Sequence, residues 1–529
     1  MIDRAWMYAA AGLLWVGLGQ GMAGARAQVP TADRSRVAAS LSQVPRRTPS
    51  VTLSRLSVRG RLQVTTDLGV PASDSVIVED RGAGGYLDVV QGPRQDFAGA
   101  PQVEVLGGGH YRVTIATSDM LPAGMYRGTL RLRMCTETPC VHPIANASTS
   151  APYRLDVAWI NPGEWEMFQR DAAHTGYVPV PLHASRITKS WEYVGSPGHY
   201  STAPGGVATG EGRAFLSQHD GQEWSLAALH AVDGSVAWIR WLDDLNAPAY
   251  SQGHVYASTD GKLWSFDATD GTPVFGSTIP GVWNHVLSPT ISGGIVYTNA
   301  GYYGGNGIHA YDADDGLPLW LVDGYTTGTT PAVRGDKVYY YDADKLRMFD
   351  AFDGTAAGEI ADPNEPIIVS DDLRRAPMLG STDHVIMFSG TETSPFGRFL
   401  VDYSPATGTT RWRTAKKYVT DPATAGGVIY AGSNNPKSFD AIDEATGAIL
   451  WSWVPPSTSD LRLQNNIVLT RNLAFVSTDR AVYAIDLSTR QPVWSYPVSG
   501  TLSISGDGRL YLMQTSESQS GRIIAFRLY

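Results

Sequence analysis

The stretch YDADDGLPLW, Tyr311 to Trp320, sets three aspartates ahead of a glycine and ends on a tryptophan. An EF-hand loop opens similarly, but it alternates its ligands and needs a bidentate Glu at its twelfth position. Counted from Asp312, that position is Asp323, and Asp314 and Asp315 stand side by side. The stretch therefore reads as a turn. Asp, Asn and Thr bond their own backbone in turns, and Gly supplies the positive φ that ends them.

The pattern recurs as LHAVDGSVAW (229–238), FDATDGTPVF (266–275), FDAFDGTAAG (349–358), YSPATGTTRW (403–412), IDEATGAILW (442–451) and IDLSTRQPVW (485–494). Copies lie about 35 to 55 residues apart, the range of propeller blades. In step with them run strand-like stretches rich in β-branched and aromatic residues. These are AFLSQ (214–218), VYAST (255–259), VYTNA (296–300), VYYYD (338–342), VIMFS (385–389), VIYAG (428–432), LAFVS (473–477) and LYLMQ (510–514). Upstream of most stands a proline (Pro204, Pro248, Pro289, Pro331, Pro377, Pro422), which a strand tolerates at its first residue. Four short antiparallel strands per unit, in eight units, predict an all-β fold with an eight-bladed β-propeller over residues 165–529.

The turn motif has seven copies against eight of the strand motif, and the chain ends on IIAFRLY. The missing outer strand is expected from ITKSWEY (187–193), which would complete the last blade and close the ring. Trp191, Trp238, Trp320, Trp412, Trp451 and Trp494, with Phe275, fall at one position of the repeat. They are expected to dock each blade on the next. A fully buried indole removes about 150–250 Å² from water, roughly 4–6 kcal/mol gross. Gly358 stands where Trp is expected, so docking should be weaker at the fourth blade.

The G-x-x-x-W motif after an A-x-(T/D)-G turn resembles the pyrroloquinoline-quinone (PQQ) repeat. The lead-in WEMFQRDAAHTGYVP (165–179) looks like the segment opening many propellers of that superfamily. The resemblance implies a quinoprotein-dehydrogenase-like propeller. The superfamily holds PQQ-dependent dehydrogenases and also non-enzymatic envelope proteins of the BamB-like outer-membrane assembly branch. PQQ alcohol dehydrogenases stack the quinone on a disulfide of adjacent cysteines and hold calcium with Glu, Asn and Asp. No cysteine occurs in this propeller.

Ahead of the propeller, residues 1–27 read as an export signal. Arg4 precedes an apolar run, Ala9 to Gly19, and Ala25-Arg26-Ala27 offers a cleavage site before Gln28. The run is short for a bilayer span. No cysteine follows it for lipidation, and no other segment is apolar enough to cross. The expected location is the periplasm or the cell exterior. Residues 28–48 read as a flexible polar segment. Residues 49–160 alternate apolar and polar in short runs, as in YRVTIA (111–116) and YRGTLRLRM (126–134), and read as a small immunoglobulin-like β-sandwich. A linker of about Asn161 to Glu164 follows. Cys135 and Cys140 are the only cysteines. In an exported chain such a pair reads as a disulfide, worth about 2 kcal/mol for so short a loop. The competing zinc reading adds His142 but finds no fourth ligand nearby.

The formal charge is −10, with no basic run longer than a pair, so nucleic acid is not an expected partner. There is no G-x-S-x-G, H-E-x-x-H, P-loop or C-x-x-C-H motif. His309 falls on a strand and reads as structural; His199, His219, His254 and His285 fall in loops. Propeller ligands bind at the channel mouth, where loops from outer strand to next inner strand gather. The candidates there are His199, Tyr200, Trp283, Asn284, His285, Arg374, Arg375, Lys416 and Tyr418. That set suits an anionic or planar ligand, or a polar rim facing other proteins. The leading expectation is a non-enzymatic scaffold binding envelope or extracellular proteins, with no catalytic residue, cofactor or metal. The alternative is a PQQ- and calcium-dependent oxidoreductase or a small-ligand binder at the mouth.

Overall fold

In the computed structural model the turn that opened the sequence is built by its aspartate. Asp312 Oδ1 accepts the backbone N–H groups of Asp314 (2.9 Å) and Asp315 (3.3 Å), and Gly316 closes the turn onto the Asp312 carbonyl at 3.0 Å. Asp267, Asp350, Asp443 and Asp486 accept backbone N–H groups in the same way. These carboxylates build the turns.

The structure describes residues 56–92, 96–195, 206–219, 223–243, 245–259, 261–280, 288–299, 307–324, 330–342, 344–363, 376–389, 397–514 and 522–529. The expected export signal, the flexible segment and the first residues of the expected sandwich lie outside them. Among the described residues no helix is long and apolar enough to cross a membrane.

Between Thr188 and Arg527 lie eight four-stranded antiparallel sheets, each of the first seven built from consecutive strands. Sheet 1 runs from Ala208 to Leu242, sheet 2 from Ala249 to Thr278, sheet 3 from Thr290 to Val322 and sheet 4 from Ala332 to Ala361. Sheet 5 runs from Met378 to Tyr418, sheet 6 from Ala423 to Trp453, sheet 7 from Leu463 to Tyr496 and sheet 8 from Thr501 to Arg527. Sheet 8 has only three strands of its own. Its outer strand is Thr188–Val194, paired antiparallel with Arg522–Arg527 so that Trp191 stands opposite Ala525. The fold is a β-propeller. His219 and His254, expected in loops, instead end and begin strands Arg213–His219 and His254–Thr259. Their neighbours on the chain extend the hydrogen-bonded ladder far enough to include them.

Every outer strand carries a β-bulge at the same place, one residue before the repeat position. A bulge bends its strand and re-aims a side chain. Here it turns the aromatic onto the following sheet. The indole N–H groups of Trp191, Trp238, Trp320 and Trp412 donate to the carbonyls of Ala231 (2.7 Å), Ala268 (3.1 Å), Ala351 (3.1 Å) and Glu444 (2.8 Å), each in the next sheet's turn. Phe275 has no N–H; at its seam the Tyr256 hydroxyl donates to Ala313 O at 3.0 Å, as the Tyr297 hydroxyl donates to Ala351 O beside Trp320. Trp451 lies under the Arg490 guanidinium at 5.7 Å, and Trp494 meets Phe526 edge-on at 5.3 Å. Only Trp191 and Trp238 are buried; the others are half-buried, because the outer strands form the rim. Full-burial energies therefore overstate most of these contacts.

The seam from sheet 4 to sheet 5 departs from the pattern. Gly358 sits at the aromatic position, opposite Met348, whose Cε comes within 2.9 Å of where a Cβ would be. Among the described residues no indole covers the facing turn, where a Cβ on Gly408 would meet nothing within 4 Å. Polar contacts serve there. Arg334 donates to the carbonyls of Leu379 and Gly380, both at 2.6 Å.

Two further sheets precede the propeller, Leu56–Arg59, Ser73–Asp80, His110–Ala116 and Gln102–Gly107 in one, and Leu62–Asp67, Pro143–Ala158, Gly124–Cys135 and Tyr86–Val90 in the other. Val78, Val113, Leu132 and Leu155 bury their side chains in one core that continues into Leu510, Leu512 and Phe526 of sheet 8. Cys135 and Cys140 are joined, with Cα atoms 5.5 Å apart, at the hairpin between the two longest strands. The zinc reading thus has no thiolates. Asp88 lies beside the sulfurs but pairs with Arg133 at 2.7 Å.

The seams predict a contrast between two glycines of equal backbone need. Gly447 has φ +71° and a Cβ there would stand 2.7 Å from the Trp412 ring, whereas Gly408 has φ +68° and open space. Gly408→Ala should cost about 1–2 kcal/mol of backbone strain. Gly447→Ala should cost that and a further 1–3 kcal/mol or so of overpacking. Urea unfolding of both variants measures the difference; equal losses would show that the indole does not dock on the turn.

Candidate functional site

A propeller's natural ligand position is its axis, where the innermost strands expose backbone groups with no further strand to pair them. In this chain the stretch from Glu164 to Gly176 occupies the axis and bonds to seven of the sheets and to Ser288, which leads into sheet 3. The carbonyls of Trp165, Glu166, Ala172, Ala173, Thr175 and Gly176 accept the N–H groups of Thr209, Tyr250, Val333, Leu379, Thr424 and Leu469, at 2.6 to 2.9 Å. Sheet 3 is reached through the Phe168 N–H, which donates to Ser288 Oγ at 3.0 Å, and sheet 8 through Glu164 Oε2, which accepts from Gly506 at 3.0 Å. Gln169 and His174 adopt positive φ (49° and 57°), so the segment is tightly folded.

Around this plug remains a small axial cavity lined by Phe168, Gln169, His174, Ala376, Met378, Met387, Phe388, Asp421 and Pro422, with free space of about 10 Å³. Gln169 is fully engaged. Its Nε2 donates to Pro422 O at 2.6 Å and its Oε1 accepts from Asn466 at 3.0 Å. His174 is 1% exposed, and its Nδ1 lies 2.7 Å from Pro377 O. A carbonyl can only accept, so Nδ1 carries the proton and Nε2 bears a lone pair. That Nε2 has no hydrogen-bond partner among the described residues. Burial drives the imidazole pKa down from 6.5 to about 4, with the bond to Pro377 opposing. The ring is neutral.

Of the mouth residues expected from sequence, His199, Tyr200, Trp283, Asn284, His285, Arg374 and Arg375 lie outside the described residues. Lys416 and Tyr418 are described, and they face one another's neighbours rather than an open mouth. Lys416 Nζ lies 2.8 Å from Asp440 Oδ2 and the Tyr418 hydroxyl donates to the same oxygen at 3.0 Å. Asp440 is fully buried, and Ser438 donates to its other oxygen at 2.7 Å. Burial first, and then Asp440, pushes the Tyr418 pKa up. This network binds sheet 5 to sheet 6.

Two further clusters were not singled out in the sequence. Asp402, fully buried under Trp412, holds His384 Nδ1 at 2.7 Å and Arg411 at 3.3 Å; burial raises its pKa to about 6. A cleft of about 400 Å³ between sheets 1 and 2 is lined by Glu223, Trp241, Asp243, Lys262 and Trp264, with the Lys262 ammonium 5.0 Å from the Trp264 ring. The first lies within sheet 5 but joins residues up to 27 positions apart, and the second joins residues of two repeats, so neither shows as a local motif.

The sheets, bulges and indole docking define a propeller of the PQQ-repeat class. Within that class, the family described as outer membrane protein assembly factor BamB matches residues 222–452 and 393–505, together more than half of the chain, and the chain belongs to it. Among solved structures, the chain is similar to a europium-containing methanol dehydrogenase at 13% identity and TM-score 0.56, over 69% of this chain and 98% of that one. It is similar to the quinohemoprotein alcohol dehydrogenase of Comamonas testosteroni at 14% identity and TM-score 0.54, over 69% and 80%. BamB from Moraxella catarrhalis aligns at 17% identity and TM-score 0.48, over 64% and 99%. At such identities the likeness is one of fold. No curated protein matches the sequence.

The depressed His174 pKa makes a signed prediction. Between pH 6.5 and about 4 the unfolded chain binds a proton that the folded chain refuses. The stability this group contributes is therefore complete above pH 6.5 and is lost as pH falls toward 4. Burial lowers His309 to about 4 as well, so nitrogen-15 NMR of histidine-labelled protein should find two rings, those of His174 and His309, still neutral at pH 5; all rings titrating near their ordinary value would contradict it.

Proposed function

We propose that this chain is an exported, non-enzymatic propeller that holds other proteins together in the cell envelope or outside the cell. The filled axis carries the reading. Small-molecule sites usually enclose about 300–1,000 Å³, while the described cavity beside the Glu164–Gly176 plug holds about 10 Å³. That remnant is mostly apolar, and the only cysteines lie in the N-terminal sheets. A stacked quinone with calcium does not fit it. Membership of a family described as assembly factors points the same way. The dehydrogenase neighbours share a fold, which does not by itself carry their chemistry.

The N-terminal sheets, in this reading an immunoglobulin-like module, offer a second contact held at a fixed angle. Trp159 stacks on Tyr529 at 4.9 Å and donates to Gly506 O at 2.8 Å. Arg186 donates to Ala123 O at 2.7 Å, and Arg471 to Asp119 O at 3.3 Å. The Cys135–Cys140 bridge suits an oxidising compartment.

Adding PQQ and calcium to the purified protein tests the reading. We expect no quinone absorbance retained after desalting and no dye-linked oxidation of alcohols or sugars. Retained quinone with turnover would replace the scaffold by an oxidoreductase. Cross-linking in envelope extract should then capture a defined stoichiometric partner, not a spread of abundant proteins.

A further inference from the structure

The axial cavity has an unusual wall. One member is the His174 lone pair, held in place because Nδ1 is committed to Pro377 O at 2.7 Å. An imidazole fixed through one nitrogen to a backbone carbonyl, with the other nitrogen bare, is the arrangement in which histidines ligate metals. Among the described residues nothing answers that lone pair. The Gln169 amide beside it is engaged with Pro422 and Asn466. Phe168, Ala376, Phe388 and Pro422 are apolar.

The remaining walls are Asp421 and two methionines, Met378 and Met387, which are 2% and 1% exposed. A buried water needs about 2–4 polar partners, and these walls supply chiefly one imidazole and two thioethers. Thioether and imidazole are soft donors, the pairing that selects monovalent copper over hard cations. The free space of about 10 Å³ admits a single small guest, which excludes any organic ligand.

We propose that the axial cavity binds one Cu(I) ion through His174 Nε2 and the thioethers of Met378 and Met387. The ion would tie the plug, which carries His174, to sheet 5, which carries both methionines. This goes beyond the scaffold reading and does not depend on it.

The experiment uses the whole protein and Cu(I), kept reduced by ascorbate without oxygen and offered against the chelator bicinchoninate. Free thiols do not compete, because both cysteines are joined. One equivalent should be retained, with nitrogen and sulfur neighbours in its X-ray absorption spectrum. His174→Gln and Met378→Leu should each weaken retention at least tenfold. Nitrogen-15 NMR of the unaltered protein should show one histidine ring shift on addition of Cu(I), so a His174→Gln chain that fails to fold leaves the test intact. Met378→Leu nearly conserves volume and should fold. No retained copper, a shell of oxygen and nitrogen alone, or equal retention in Met378→Leu would overturn the site and leave a cavity for water only.

Discussion

The innermost strand of each sheet faces the propeller axis with N–H groups that have no further strand to meet. A buried backbone donor left unpaired costs about as much as a lost hydrogen bond. The segment from Glu164 to Gly176 meets this need on all sides, one carbonyl after another turned outward to sheets 1, 2, 4, 5, 6 and 7. The same segment fills the channel, so the group that completes the fold also removes the usual ligand position. Structure and proposed function rest on one stretch of backbone.

The rim is held differently. Each outer strand is bent by a bulge, and all but that of sheet 4 turn an aromatic ring toward the next sheet; for Trp191, Trp238, Trp320 and Trp412 a glycine in the facing turn makes room and a carbonyl takes the indole N–H. The ring of sheets closes because Thr188–Val194, from the start of the propeller sequence, completes the sheet at its end. Trp191 then docks on sheet 1 as Trp238 docks on sheet 2. Where Gly358 breaks the series, Arg334 bridges the seam to Leu379 and Gly380. Sheet 5 is therefore held to sheet 4 by polar bonds and by core packing, without an indole.

The rim was legible in the sequence because its requirements are local and repeated. An aspartate two residues before its own turn, a glycine that must take positive φ, and an aromatic at fixed spacing all show within ten residues, as in Tyr311–Trp320. The closing strand was legible by elimination, since only ITKSWEY could supply the eighth outer strand. The axis was not legible. WEMFQRDAAHTGYVP has no periodicity, and its carbonyls find their donors in residues up to some three hundred positions away. Lys416 and Tyr418 looked like mouth residues because they end an outer strand; nothing local reveals that Asp440, in the third strand of the next sheet, draws both inward. The tyrosine hydroxyls of Tyr256 and Tyr297, which donate to the next sheet's turn, are invisible for the same reason, being set by contact across a seam.

Hydrogen–deuterium exchange of the peptide covering residues 164–178 tests the central claim most directly. Phe168 donates to Ser288, Gly176 to Gln169 and Val178 to Leu469, so these amides should exchange as slowly as those in the middle of the sheets. Exchange at the rate of a free chain, with the sheets still protected, would mean that the plug is not seated, and the argument from a filled axis would fail with it.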